Sequence, residues 1–170
     1  EYLQGPQFST ETLIENGHCH TLGFSDRNYE WLERTKPFLI ENGGDAPTAL
    51  GIGDKQRVIE TAEAAAGALA IHQGVAKGDM VLTDDGPKVI EIAGRLSGGY
   101  FSTTQIPLAT NVNFVAQAIR LALDQPLDFD PLTVANHGVA IRYLDLRPGE
   151  IASVTGIATA ESCDGVELLK

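Results

Sequence analysis

Hydrophobic and polar positions alternate along several short segments of this chain, and this period of two predicts more strands than helices. Residues 8–14 are rich in Thr and Phe, which favours a strand. Asn16-Gly17 is a strong signal for a tight hairpin turn, so residues 18–24 are predicted to form the returning strand. Further short strands are predicted over residues 38–40, 133–144, 151–157 and 166–169, with a turn at 147–150.

Two longer segments have the period of an α-helix. Residues 54–70 place Val58, Ala62 and Leu69 on one apolar stripe, and Asp54 is the predicted N-cap. Residues 111–123 carry a single polar stripe, so a helix there is predicted to be buried on three sides. Hairpins and two main helices together predict an α+β fold with a largely antiparallel sheet.

A further hairpin is predicted with one carboxylate on each strand, Asp79 near the start of the first and Glu91 near the end of the second. A three-residue loop over residues 84–86 would place the two acids opposite each other, with Cβ atoms about 4.5–5.5 Å apart. A two-residue loop at Asp85-Gly86 would instead place Ile92 opposite Asp79 and turn Glu91 to the other face. The residue after the loop is a proline, which cannot donate to the ladder, so both loops stay open at this point.

Residues suited to binding a phosphorylated ligand follow this acid pair directly. Arg95 supplies a cation, and Ser97-Gly98-Gly99 is a short glycine-rich loop whose backbone N–H groups suit an anion. Mg²⁺ is usually bound through one or two carboxylates together with substrate phosphates. The constellation therefore predicts a magnesium and phosphate site, and an edge hairpin with solvated acids is the alternative.

Composition argues against several other classes of function. The 170 residues carry a formal net charge of −11, which argues against nucleic-acid binding and against attraction to anionic membranes. No apolar run approaches the length of a membrane span, and no signal peptide stands at the start. The two cysteines, Cys19 and Cys163, lack metal-ligand spacing and are predicted to be reduced thiols of a cytoplasmic protein.

The order of these elements resembles the C-terminal half of an ATP-grasp domain. The resemblance begins at residues 1–11, Glu-Tyr-Leu-Gln-Gly-Pro-Gln-Phe-Ser-Thr-Glu, and is most specific at Asp79 and at residues 91–99, Glu-Ile-Ala-Gly-Arg-Leu-Ser-Gly-Gly. It implies that residues 1–130 form the C-terminal half of that domain. Residues 131–170 would form a β-rich extension packed on it, as in the L-amino-acid ligase branch. Both chain ends look cut, so the chain is expected to be a piece of a longer enzyme.

The resemblance implies an ATP-dependent ligase that joins a carboxylate to an amine or a thiol through an acyl phosphate. By position, Asp79 and Glu91 would hold Mg²⁺ (or Mn²⁺) against the ATP phosphates, and Arg95 would stabilise charge on the transferring phosphoryl group. The remaining implied contacts are N–H groups of Ser97, Gly98 and Gly99 to the carboxylate or its phosphate, Tyr2 and Leu3 to adenine, and Glu11 to the ribose hydroxyls.

The chain departs from the family pattern, with Ala93 where many members have Asn, Lys77 where many have His, and Asp rather than Glu at position 79. The family's first half, with its phosphate-gripping lysines and flexible lid, is absent, so the chain alone is not expected to catalyse. A non-catalytic or split module that binds a partner supplying that half is the alternative function, and a simple cation-binding module is a weaker one. Small-molecule carboxylate and amine substrates are the expected partners, and exposed apolar surface predicts a homo-oligomer.

Overall fold

The structure, a computed structural model, describes residues 1–144 and 148–167. Within them, six strands form one sheet in which every neighbouring pair is antiparallel. In chain order the strands are β1 (Gln7–Glu15), β2 (His18–Asn28), β3 (Gly43–Ala46), β4 (Gly74–Thr83), β5 (Gly86–Ala93) and β6 (Val139–Arg142). Across the sheet their order is β5-β4-β1-β2-β3-β6. The predicted α+β class with a largely antiparallel sheet is confirmed.

The helices lie between and after the strands, and most of them are short. They are α1 (Leu32–Thr35), α2 (Ile52–Ala68), α3 (Ile106–Thr110), α4 (Phe114–Ala122) and α5 (Ile157–Glu161). A π-helical turn over Phe101–Gln105 leads directly into α3, and a 3₁₀ turn spans Pro131–Thr133. The two predicted main helices correspond to α2 and α4.

Alternate side chains of β1 point into different hydrophobic cores, one on each face of the sheet. On one face Phe8 packs with Val58 of α2 and Met80 of β4. On the other face Leu13 packs with the π-helical turn, α3 and α4, through Phe101, Ile106, Phe114 and Leu121. Burying a side chain of this size contributes about 1.5–3 kcal/mol. The sheet is therefore held between α2 and the α3–α4 segment.

The β1–β2 hairpin forms where Asn16-Gly17 predicts it. Both residues have positive φ angles, 51° and 80°, as a type I′ turn requires, and Glu15 pairs with His18. The returning strand β2 runs four residues past its predicted end, to Asn28. This extension carries Ser25 and Arg27 along the sheet toward the candidate site.

Several strand predictions are wrong. Residues 38–40 are exposed and form no strand, and the chain pairs instead through the glycines of β3. Of residues 133–144 only those of β6 form a strand, because the N–H groups of Ala135 and His137 donate to carbonyls at the end of α3. Residues 151–157 form no strand, and α5 begins at the last of them. The predicted turn at 147–150 and strand at 166–169 fall partly outside the described residues.

Both main helices begin elsewhere than predicted. The N-cap of α2 is Gly51, and Asp54 lies in its first turn, where its carboxylate pairs with Arg57 at 2.6 Å. Helix α4 begins three residues after the predicted start, because Asn111 has a left-handed backbone and the Asn113 side chain caps the helix by accepting from Ala116 N–H.

In the part of the chain that the structure describes, no helix combines the length and the apolar character needed to span a bilayer. Cys19 and Cys163 are both free thiols.

Candidate functional site

The strands β4 and β5 bring Asp79 and Glu91 opposite each other, although not through the predicted loop. Thr83 pairs with Gly86, so the loop is the two-residue Asp84-Asp85, and neither loop considered from the sequence, residues 84–86 or 85–86, is formed. That loop alone would place Ile90 opposite Asp79. The register shifts by one residue between Met80 and Asp79, which leaves Ile90 as a β-bulge and restores the acid pair.

The two carboxylates have different surroundings. The Asp79 side chain is largely buried and forms ion pairs with Lys77, two residues before it, and with Arg27 of β2 at 3.0 Å. The Asp79 Oδ1 atom is buried, and despite the nearby guanidinium it makes no hydrogen bond. The Glu91 side chain is 55% exposed and lies 3.8 Å from the Arg95 guanidinium.

Arg27 joins this acid pair to a third carboxylate. Its guanidinium pairs with Glu41 at 2.6 Å as well as with Asp79. Burial opposes the charge on Arg27, but the Asp79 and Glu41 carboxylates outweigh it and raise the pKa of the guanidinium. Sequence reasoning missed both Arg27 and Glu41, because they lie in irregular polar segments without a recognisable spacing.

A cavity of about 240 Å³ opens beside Asp79, on the face of the sheet that also carries the Leu13 core. It brings together predicted site residues from the hairpin and from the loop that follows: Asp79, Arg95, Ser97, Gly98 and Gly99. It also brings in residues that the sequence did not single out, among them Arg27, Glu41, Gln105 and Tyr143. Glu91 reaches the cavity only through Arg95, and Tyr2 and Leu3 do not line it.

The loop after Arg95 is hydrogen-bonded to Glu11 of strand β1. Ser97 N–H donates to Glu11 Oε1 at 2.9 Å and is not available to a ligand, which leaves Gly98 and Gly99 of the three predicted backbone donors. The Ser102 hydroxyl lies 2.7 and 2.9 Å from the two Glu11 oxygens. As the chain is folded here, the Glu11 carboxylate does not reach the surface. The contact of Glu11 with a ribose stays a prediction, which the burial of this carboxylate does not support.

The strand β6 closes the opposite wall of the cavity. Tyr143 follows this strand, donates its backbone N–H to Asn42 at 2.9 Å, and places its hydroxyl 3.4 Å from the Gly99 carbonyl oxygen. Burial and the nearby Glu41 and Tyr100 raise the pKa of Tyr143. The segment that the sequence analysis assigned to a separate extension therefore contributes a side chain to the site.

The residues present fit a magnesium ion that is shared with phosphates better than an all-protein cage. In the described ranges, 1–144 and 148–167, no group of three or more His, Cys, Asp or Glu side chains converges on one point. Two opposed carboxylates remain; Asp79 Oδ1 makes no hydrogen bond, and the Asp79 carboxylate forms ion pairs with Arg27 and Lys77, which a bound cation would have to displace. This donor set suits Mg²⁺ when substrate phosphates complete its coordination.

This chain matches a known protein family. The ATP-grasp domain family matches residues 1–99, which is more than half of the chain. The chain therefore belongs to the ATP-grasp family. A search of curated proteins found no match.

Solved structures with the same fold support this assignment. An L-amino acid ligase from Bacillus licheniformis superposes with a TM-score of 0.84 at 24% identity, over 96% of this chain and 40% of that chain. Phosphoribosylglycinamide synthetase from Anaerococcus prevotii gives 0.68 at 14% identity, over 84% and 35% of the two chains. N5-carboxyaminoimidazole ribonucleotide synthetase from Thermus thermophilus gives 0.62 at 14%, over 82% and 36%. At these identities the likeness is one of fold, and this chain spans less than half the length of each.

Proposed function

We propose that this chain is part of an ATP-dependent ligase that activates a carboxylate as an acyl phosphate and passes it to an amine or a thiol. The observation that carries the proposal is the cross-strand pair Asp79 and Glu91, of which Asp79 lines one polar cavity together with Arg95, Gly98 and Gly99. Membership of the ATP-grasp family and the ligases among the similar folds support it. The non-catalytic alternative has no observation of its own in its favour.

In this proposal each group has a role that its chemistry suits. Asp79 and Glu91 would hold Mg²⁺ or Mn²⁺, which supplies charge neutralisation for phosphate oxygens when bound. The Arg95 side chain is half exposed, lies 3.8 Å from Glu91 and donates to the Leu96 carbonyl at 3.1 Å; these are surface contacts, so the guanidinium can exchange them for a phosphoryl group. Gly98 and Gly99 line the same cavity, and their backbone N–H groups are suited to donate to anionic oxygens.

Nucleotide contacts outside the cavity would come from the segment before β1. Tyr2 is 68% exposed and lies before β1, so with Leu3 it is available to pack on an adenine ring. Glu11 is not included, because its carboxylate is buried and already bound to the 97–102 loop. Residues that grip the outer phosphates would come from a further part of the enzyme, which the partial coverage of the similar structures leaves room for.

The test is Glu91→Gln in the intact protein that contains this chain, assayed for ATP-dependent phosphate release with a panel of carboxylates and amines. Loss of one metal-binding charge is expected to lower kcat/KM by about 100-fold or more. Glu60→Gln is the matched control, since Glu60 is exposed on α2 and contacts only Gln56 among the described residues. Full activity in Glu91→Gln would remove the metal role, and no turnover by the unaltered enzyme with any pair would count against ligation.

A further inference from the structure

Glu11 lies near the middle of β1 on the face that carries the cavity, and its side chain is fully buried. A buried carboxylate is tolerated only when its oxygens are hydrogen-bonded, and here its partners all belong to one loop. Ser97 N–H donates to Oε1, and the Ser102 hydroxyl contacts both oxygens. The same hydroxyl lies 3.0 Å from the Ser97 carbonyl oxygen.

The number of hydrogens on Glu11, Ser97 and Ser102 determines whether these hydrogen bonds can form together. The Ser102 hydroxyl has a single hydrogen, so it cannot donate to Glu11 and to the Ser97 carbonyl together. If Glu11 carries a proton, its O–H donates to Ser102 Oγ, the Ser102 O–H donates to the Ser97 carbonyl, and Ser97 N–H donates back to Glu11. Burial raises the pKa of Glu11 against the hydrogen bonds from Ser102 and Ser97, in keeping with this closed ring. Lys77, its cross-strand neighbour on β4, is the charged group that faces it and is itself paired with Asp79.

The ring fixes the backbone N–H and C=O of Ser97, and the loop is fixed again a few residues later. Phe101 is buried in the Leu13 core, and its N–H donates to the Gly98 carbonyl at 3.1 Å. Gly98 and Gly99 lie between these two anchors and line the cavity. Gly99 has a φ of +59°, and a Cβ there would lie 2.7 Å from the Tyr143 hydroxyl oxygen.

We propose that Glu11 is a positioning residue, which holds the Ser97 peptide from beneath so that the Gly98 and Gly99 N–H groups stay directed at the cavity. The anchoring stands on the hydrogen bonds alone. The further step, that the anchored N–H groups receive an anion, rests on the proposed function. Glu11 touches neither substrate nor metal in this account and acts through the loop.

The test uses ¹⁵N-labelled chain and three variants. Glu11→Leu removes the ring, whereas Glu11→Gln keeps an oxygen for Ser97 N–H and an N–H donor for Ser102, and so mimics the neutral carboxyl. Glu15→Gln is the matched control, because Glu15 is also on β1 and also accepts one backbone N–H, from Leu127 at 2.9 Å, far from the loop. Hydrogen exchange of Ser97 N–H reports the anchoring, and titration with inorganic phosphate, followed at Gly98 and Gly99, reports the anion.

In Glu11→Leu, Ser97 N–H is expected to exchange roughly 10- to 100-fold faster and phosphate to bind about tenfold more weakly. Glu11→Gln is expected to restore both, and Glu15→Gln to change neither. In the unaltered chain the Ser97 amide resonance should titrate together with the Glu11 carboxyl, and this coupling should vanish in Glu11→Gln.

Unchanged Ser97 exchange in Glu11→Leu, or equal acceleration in Glu15→Gln, would overturn the positioning role. Faster exchange in Glu11→Leu without any phosphate response in the unaltered chain would leave the anchoring supported and refute the anion site. If Glu11→Leu does not fold, Ser102→Ala takes its place, since it removes the hydroxyl that links Glu11 to the Ser97 carbonyl. Unchanged Ser97 exchange in that variant would overturn the proposal equally.

Discussion

The contact between β3 and β6 leaves no room for a side chain at Gly43. A Cβ added there would lie 2.0 Å from the backbone oxygen of Ile141, and the φ of +144° is one that residues with side chains rarely adopt. Because both partners are backbone, neither can rotate away. Gly43→Ala should therefore force β6 from the sheet, and with it Tyr143 from the cavity wall.

The cost follows from these distances. Ordinary van der Waals contact begins at 3.4 Å, so the two strands would have to separate by about 1.4 Å. The hydrogen bond from Tyr143 N–H to Asn42, 2.9 Å long, would not survive this. Each lost bond costs about 0.5–1.5 kcal/mol and the strained backbone about 1–3 kcal/mol. β6 contributes no residue to the three hydrophobic cores. Its detachment from β3 is therefore expected to cost about 2–4 kcal/mol, which is less than the cost of opening the whole sheet.

Hydrogen exchange of the β6 amides measures this directly. In Gly43→Ala they should exchange about 100-fold faster, while the amides of β1 and β4 keep their protection. Gly138→Ala is the control, because Gly138 immediately precedes β6 and a Cβ there meets nothing within 4 Å. The reasoning fails if the two variants show the same protection in β6, or if Gly43→Ala unfolds the whole chain as one unit.

Two further predictions concern stability. The pKa of Glu11 is raised in the fold, so the folded state holds the Glu11 proton more tightly than the unfolded state does. This contribution to stability is complete below the ordinary pKa of 4.5 and is lost as the pH rises through the folded pKa. Urea unfolding at a series of pH values should show that loss in the unaltered chain but not in Glu11→Gln, and parallel profiles would contradict it. Phe114→Ala should cost about 3–5 kcal/mol, because this ring is fully buried in the Leu13 core. The same substitution at Ile119, exposed on the same helix, should cost far less, and equal losses would show that α4 is not packed as described.

Local signals in the sequence were sufficient for part of this molecule. The Asn16-Gly17 turn fixes its own backbone, and alternation sets which residues of β1 and of β2 share a face up to Leu22, where the register shifts by one residue. The acid pair and the Arg95 loop were identifiable because the residues that the chemistry needs stand close together in sequence. Local signals also gave wrong predictions of strands. Gly43 and Gly44 are of a residue type common in turns. They nevertheless lie in strand β3, where the missing side chain of Gly43 allows β6 to approach closely.

The tertiary structure decided how these pieces meet. The pairing of Asp79 with Glu91 depends on a bulge at Ile90, which the strands adopt against their neighbours and which no spacing rule specifies. Arg27 reaches Asp79 only because β2 lies in the sheet where it does. The burial of Glu11 depends on Ser97 and Ser102, 86 and 91 residues further along the chain. Turn chemistry and periodicity act over a few residues, whereas burial and charge pairing depend on which distant segments pack together, and only the folded chain fixes that.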